Sequence, residues 1–308
     1  MATAGARAQS ARLGISLTRR PIRAEMNNNA SISRVYIDES IHSDLGFIAS
    51  AMVFDTNNLE DLVSDALRSA GMRPGIDEYK SGVIMRENPI GQALRDRILR
   101  IAGSDVKLAV LFSPANARSD LGQDILKHLT IVCQRNGILS SSLQAYFDEG
   151  LFSSAKQAQR IAGTFPEFEV RNLNFEQDSR QILGIQVADN VAHSLSQILK
   201  PELTDNRKTT LVGEDSGYLE GTEVDLDWSL LMSLRYTLFH RTVIYEKDQE
   251  GVIRATNPKI ISDEDDIVEY AQHPELFGYG IFVAPNLLEQ VRSSIEDRFA
   301  KIWLGCIH

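Results

Sequence analysis

Cysteine is nearly absent. Cys133 falls in a predicted helix and Cys306 close to the end of the 308-residue chain, so a disulfide framework is excluded and a reducing cytoplasm is the expected compartment. No stretch approaches the roughly 20 apolar residues that a membrane-spanning helix needs, which argues against a membrane partner. The first 30 residues hold no apolar run of the secretory type. Positive charge is in deficit: 32 Lys and Arg stand against 42 Asp and Glu, a net charge of −10. A polyanion partner needs a basic footprint, and no groove of that kind is visible in the sequence. The remaining 43% apolar and 24% charged composition is that of an ordinary globular chain.

The basic residues are unevenly spread. Residues 1–30 carry five Arg and one Glu, with Ala, Ser and Asn and no apolar periodicity. They are expected to be a disordered tail, a transit-type segment, or a mis-assigned start upstream of Met26. A late acidic run spans Ser262–Glu269.

Regular patterning begins at Ser31. "SRVYID" and "LGFIASAMVF" read as two strands joined through "ESIHSD" as a hairpin connection. Asn57–Ala70 has helical spacing and stops at Gly71, and Pro89–Ile101 is a second amphipathic segment. Val106–Pro114 reads as a strand, Asp120–Asn136 as a helix stopped by Gly137, and Leu143–Asp148 as a strand. A helix over Ser153–Ala162, a weaker strand over Glu169–Phe175 and a long helix over Gln181–Leu199, ended by Lys200-Pro201, complete the series. Three strands followed by alternating helices and strands imply an α/β fold with a mixed sheet flanked by helices. The expected domains are a core over 31–200, with a helical insertion at 58–103, and a C-terminal lobe over 201–308. Within the lobe, helices are expected over Trp228–His240 and Leu287–Ile302, with a strand in "RTVIYEK".

Two predicted strands end alike, in "VYIDES" and "AYFDEG". Side chains alternate along a strand, so Tyr36 shares a face with Asp38, and Tyr146 with Asp148. If these strands are neighbours, Asp38 and Asp148 meet at their C-terminal ends, the edge where open α/β sheets place ligands. In the long helix Asp189 is the only formally charged residue between Gln181 and Leu199. It lies on a polar stripe with Gln186, Asn190, His193 and Gln197. Three converging carboxylates repel one another, by roughly 4 kcal/mol per pair at 4 Å in an effective dielectric near 20. Raised pKa values or bound divalent cations relieve that, and hard oxygen donors favour Mg²⁺ or Mn²⁺. Two such ions can activate a water for phosphodiester cleavage.

Structural explanations stand beside each of these. Asp38-Glu39 and Asp148-Glu149 are also good turn chemistry. Asp189 would be satisfied by a salt bridge, and His193 by burial. Asp178 reads as the N-cap of a capping box with Gln181. Glu78 and Lys80 read as a solvated loop pair.

The set "YIDES", "EYKSG", "YFDEG" and "DSRQILGIQVADNVAHSL", spread over Arg34–Leu199, resembles the bacterial domain-of-unknown-function 3800 family. Gln186, Ala188 and Asp189 match its Gln-x-Ala-Asp helix; Ile41 stands where the family usually has Gly. The resemblance implies a ribonuclease H-like five-stranded mixed sheet with carboxylates on strand one, strand four and the last helix; the leading reading of the acidic set is a metal-dependent nuclease with no organic cofactor. Asp38, Asp148 and Asp189 would hold a Mg²⁺ or Mn²⁺ pair, supplemented by Glu39 or Glu149. Lys80 would hold a phosphate or orient the attacking water, and Glu78, Gln186, Asp178 and His193 would surround the site. The substrate would be RNA or DNA. The alternative is a non-catalytic ribonuclease H-like binding or scaffold module in a larger, defence-related system.

Overall fold

A computed structural model describes residues 31–82, 88–211, 221–239, 244–247, 253–256, 276–277 and 280–300. Residues 1–30, the acidic run Ser262–Glu269 and Cys306 lie outside these. In chain order the elements begin with β1 (Arg34–His42), β2 (Phe47–Asp55), α1 (Leu59–Ser69), α2 (Pro89–Ser104), β3 (Val106–Pro114) and α3 (Leu121–Asn136). There follow β4 (Gln144–Asp148), α4 (Ala155–Ala162), β5 (Leu173–Gln177) and α5 (Gly184–Thr204). The remainder comprises β6 (Thr209–Leu211), β7 (Glu223–Asp225), α6 (Leu226–Leu234), β8 (Ile244–Lys247), β9 (Ile253–Thr256), β10 (Leu276–Phe277), β11 (Ile281–Val283) and α7 (Glu289–Ile295).

The fold is α/β. Its main sheet is mixed and runs β10-β11-β3-β2-β1-β4-β5. β1 lies antiparallel to β2 and parallel to β4, so the two Asp-Glu strands are neighbours. The five strands β3-β2-β1-β4-β5 at one end of the order match the expected number, but the sheet has seven. The extra two come from the expected C-terminal lobe, with β11 parallel to β3. Residues of α6 and α7 also share a core with α5: Leu230, Leu231, Leu234, Val291 and Ile295 pack with Val187, Val191 and Leu195. Thus β10, β11, α6 and α7 pack with the core, whereas β6–β7 and β8–β9 form two-stranded sheets of their own.

Strand alternation sorts the core into two layers. Tyr36, Ala51, Val53, Leu108 and Val110 face the α1, α2 and α5 side. Val35, Ile37, Met52, Phe54, Leu111 and Phe147 face α3 and α4. Continuous apolar runs in β2 and β3 follow from burial on both faces. α3 ends where expected, with Gly137 in the left-handed region at φ 67°.

Several boundaries differ from expectation: the helix expected over Trp228–His240 is α6, Leu226–Leu234, and the one expected over Pro89–Ile101 runs on to Ser104. β1 continues through "ESIH" to pair His42 with Phe47, which leaves a short turn closed by Gly46 at φ 78°. β5 is Leu173–Gln177, later than expected, because a single turn of 3-10 helix takes Val170–Asn172. Asp178 is not the N-cap of α5. Its carboxylate accepts the Arg180 N–H at 2.9 Å one turn earlier, and α5 starts at Gly184. There Glu60 of α1 accepts from the N–H groups of Leu183 and Gly184, each at 3.0 Å, in the role of the missing cap. At the other end Pro201 does not stop α5. The helix runs one further turn, with the Thr204 hydroxyl donating to the Lys200 carbonyl at 2.8 Å, and ends at Asp205 with φ 52°.

Candidate active site at the parting of β1 and β4

The β1–β4 register runs from Arg34↔Gln144 to Ile37↔Phe147 and stops. Immediately before the stop, Tyr36 and Tyr146 lie opposite each other with rings stacked 5.4 Å apart. Beyond the stop the strands part, and Asp38 and Asp148 follow the two tyrosines on the α5 side. α5 reaches this point because Gly184 has no side chain. A Cβ there would come within 2.6 Å of the Tyr36 ring.

Asp38 is 7% exposed, and its Oδ1 accepts the Glu39 N–H at 2.7 Å. Burial holds its carboxyl well above the usual carboxylate range. The negative charges of Asp148, Glu39 and Asp189 push the same way, and the Glu39 N–H bond opposes them. Asp148 is pushed up to about 6, chiefly by burial, against the Glu149 N–H bond, the Lys80 charge and a hydrogen bond shared with Asp38. Two carboxyls sharing one hydrogen bond favour sharing one proton.

Strand alternation places Glu39 on the opposite face, between Ile37 and Ile41, yet at the strand tip it still shares a hydrogen bond with Asp38. Its carboxyl is raised by burial, against that bond and the charge of Arg118, whose guanidinium lies 3.8 Å away. The second oxygen, Oε2, is buried without a hydrogen-bond partner. Glu149 is exposed.

Asp189 arrives from α5, and its charge reaches Asp38. Both of its oxygens are engaged by Ser81: Oδ2 accepts the backbone N–H at 2.8 Å and Oδ1 accepts the hydroxyl at 2.7 Å. Electrostatic reach exceeds ligand reach here. Among the described residues no three His, Cys, Asp or Glu side chains stand together as a metal-holding group.

The segment Glu78–Ser81 is strapped onto the polar stripe of α5. Gln186 accepts the Tyr79 N–H at 3.0 Å and donates to the Ser179 carbonyl at 2.8 Å. Asn190 donates to the Tyr79 hydroxyl at 2.8 Å. Arg95 of α2 donates to the Ser81 carbonyl at 2.8 Å. The strap presents Lys80, whose Nζ lies 2.6 Å from Glu78; Ser179 also donates to that carboxylate. Burial works against the Lys80 charge, but Glu78, Asp148 and Asp189 outweigh it and raise its pKa. Asp178 is paired with Arg180 at 2.8 Å. His193 lies one turn beyond Asp189, and its pKa is lowered to about 4 by burial and then by the neighbouring Arg95, His42, Lys200 and Lys208.

The structure thus gathers Asp38, Glu39, Asp148, Asp189 and Lys80 around one strand parting, with Glu78 and Gln186 positioning the strap. Sequence reasoning missed Arg118, Ser81 and Arg95. Ser81 was within reach, since it follows Lys80 in "EYKSG"; Arg118 sits in "ANARSD", which carries no pattern. Compared with family models, curated proteins and solved structures, the chain matches none.

The raised carboxyls set a pH dependence. The unfolded chain titrates its aspartates near pH 4, whereas folded Asp148 titrates at about 6 and Asp38 also titrates high. Between those values the folded state binds more protons, so this stabilisation is complete below about pH 4 and is lost as pH rises through the folded pKa. Without divalent metal, the melting temperature of wild type relative to Asp148→Asn is expected to fall between pH 5 and 7.5; His193, lowered to about 4, contributes a rise of opposite sign below about pH 6.5 in both proteins and cancels in that comparison. A wild-type profile that rises over this interval, with Asp148→Asn following it, would contradict the assignment.

Proposed function

We propose that the cluster is the active centre of a divalent-metal-dependent nuclease acting on phosphodiester bonds of RNA or DNA. The observation that carries the reading is that two raised carboxyls, the buried Asp38 and the half-buried Asp148, lie with Asp189 in electrostatic reach at the parting of two parallel strands.

The donors are of the type that suits Mg²⁺ or Mn²⁺, although no three of them stand at ligand distance among the described residues. The Glu39 Oε2 is a buried oxygen with no partner. The Asp38–Asp148 pair has a proton to give up, and carboxylate oxygens suit hard cations. Ser81 uses one acceptor position on each Asp189 oxygen, and a carboxylate has about four. Asp38, Asp148 and Asp189 would hold the metal, with Glu39 supplementing them. When bound, such an ion polarises the phosphoryl oxygen and lowers the pKa of its water.

The chain's own residues do the rest. Lys80 keeps its proton beside the acids and offers a point charge to a non-bridging phosphate oxygen. The Gln186 and Asn190 bonds to the strap fix where that charge stands. Arg118 balances Glu39 from the other side of the sheet. Water is excluded from Asp38 by the burial that raises its pKa.

A panel of labelled RNA, DNA and hybrid substrates with Mn²⁺ tests the reading. Lys80→Ala is expected to lower cleavage about tenfold or more while melting stays near wild type. Wild-type turnover by Lys80→Ala would remove this lysine from the site, and no cleavage of any substrate would sink the nuclease reading. One observation favours a second reading, a non-catalytic ribonuclease H-like module: both Asp189 oxygens are engaged by Ser81 in place of a ligand. An inert panel would favour it.

A further inference from the structure

The half-buried positions of α5 form one line. From Gly184 to Lys200 every residue is buried except Asp189, His193, Gln197 and Lys200. The eleven residue steps from Asp189 to Lys200 cover about 16 Å of helix axis. One end of this line is the carboxylate cluster. The other opens on a cavity of about 200 Å³ lined by Gln197, Lys200, Thr204, Asn206 and Lys208.

Charge is arranged oppositely at the two ends. Neither Lys200 nor Lys208 has an ion-pair partner among the described residues. Two acids also border the cavity. Asp227 is neutralised by Arg298 at 2.8 Å, and Asp44 is exposed on the β1–β2 turn. The cations that act on His193 are Arg95 and the two cavity lysines, Lys200 and Lys208. In a chain whose acids outnumber its Lys and Arg by 42 to 32, a cavity bordered by two free lysines and two amide side chains runs against the overall balance. Such a set suits a compact anion with several acceptor oxygens.

We propose that this cavity is a phosphate-binding subsite, which takes a phosphate group of a nucleic-acid strand whose scissile bond lies at the carboxylates. The phosphate chemistry rests on the cavity; the assignment to a strand rests on the function proposed above. The subsite supplies the local basic footprint that the net charge of −10 hides. It would hold the strand at a fixed distance from Asp189, along the one accessible line of α5.

The test uses the full chain, freed of metal with EDTA, and a fluorescein-labelled single-stranded oligonucleotide titrated at several salt concentrations. Inorganic phosphate and a mononucleotide serve as competitors. Lys200→Ala/Lys208→Ala is expected to weaken binding about tenfold or more at low salt. It should also shrink the slope of log K against log salt by about 1.4, or 0.7 per lost contact, which each single variant checks separately. Asp38→Asn should bind at least as tightly as wild type. Unchanged affinity and slope in the folded double variant would overturn the proposal, as would a wild type that binds none of the three ligands. Lysine-dependent stabilisation by phosphate or mononucleotide, with no competition against the strand, would keep a phosphate site and overturn its assignment to the strand. Lysine-dependent strand binding by a wild type that cleaves nothing with Mn²⁺ would leave the subsite standing and remove the nuclease.

Discussion

Asp38→Asn should fold with near wild-type stability and yet lose cleavage by about a hundredfold or more. The two halves of this expectation have one cause. Burial and three neighbouring acids hold the Asp38 carboxyl well above the usual range, which disfavours its anionic form relative to its protonated form. An asparagine is nearly isosteric with that form and, like it, can donate a hydrogen bond. It cannot become the anionic oxygen donor that a divalent cation requires. Fold and cation affinity therefore separate at this residue. Melting curves without metal should overlay those of wild type at neutral pH, while stabilisation by Mn²⁺ disappears. A variant that unfolds early but still gains stability from Mn²⁺ would show Asp38 to be structural and place the metal elsewhere.

Tyr79→Ala should cost about 3–5 kcal/mol, the usual range for truncating a large buried aromatic. Tyr79 is 3% exposed within the α5-side core, and its backbone and hydroxyl are the two points where Gln186 and Asn190 grip the strap. The cavity would release Lys80 and Ser81 together, so cleavage should fall more than tenfold as positioning is lost. Tyr79→Phe keeps the ring and removes only the bond from Asn190, at about 1 kcal/mol. Denaturant titrations of both variants, each beside a cleavage assay, check this. Equal losses in the two would point to the hydroxyl and away from packing.

The acid geometry was legible because strand alternation is a local rule. Tyr36-x-Asp38 and Tyr146-x-Asp148 each fix a face, and a parallel β1–β4 pair brings the faces together at one end. Asp189 was legible as the lone charge on a buried helix. The strap was not, because its grip on α5 spans about a third of the chain, from Tyr79 to Gln186, and no periodicity reports so distant a contact. For the same reason Glu60 was invisible as the cap of α5, and Asp178, which had the local capping pattern, was assigned that role. β10 and β11 escaped notice because strands of two and three residues are too short to show alternation. β5 was misplaced by an irregular register, in which Glu176 takes a left-handed conformation at φ 52° and accepts the Gly150 N–H at 3.3 Å. Such a bulge follows from pairing with β4 rather than from the residues of β5.

The central claim is that Asp38, Asp148 and Asp189 form a divalent-cation site. Calorimetric titration of Mn²⁺ into the metal-free protein, beside the single variants Asp38→Asn, Asp148→Asn and Asp189→Asn, tests it most directly. The account predicts saturable binding by wild type, release of a proton as the Asp38–Asp148 pair gives way, and at least about tenfold weaker binding in each variant. Binding of equal strength in wild type and all three variants, or no binding by wild type, would contradict it.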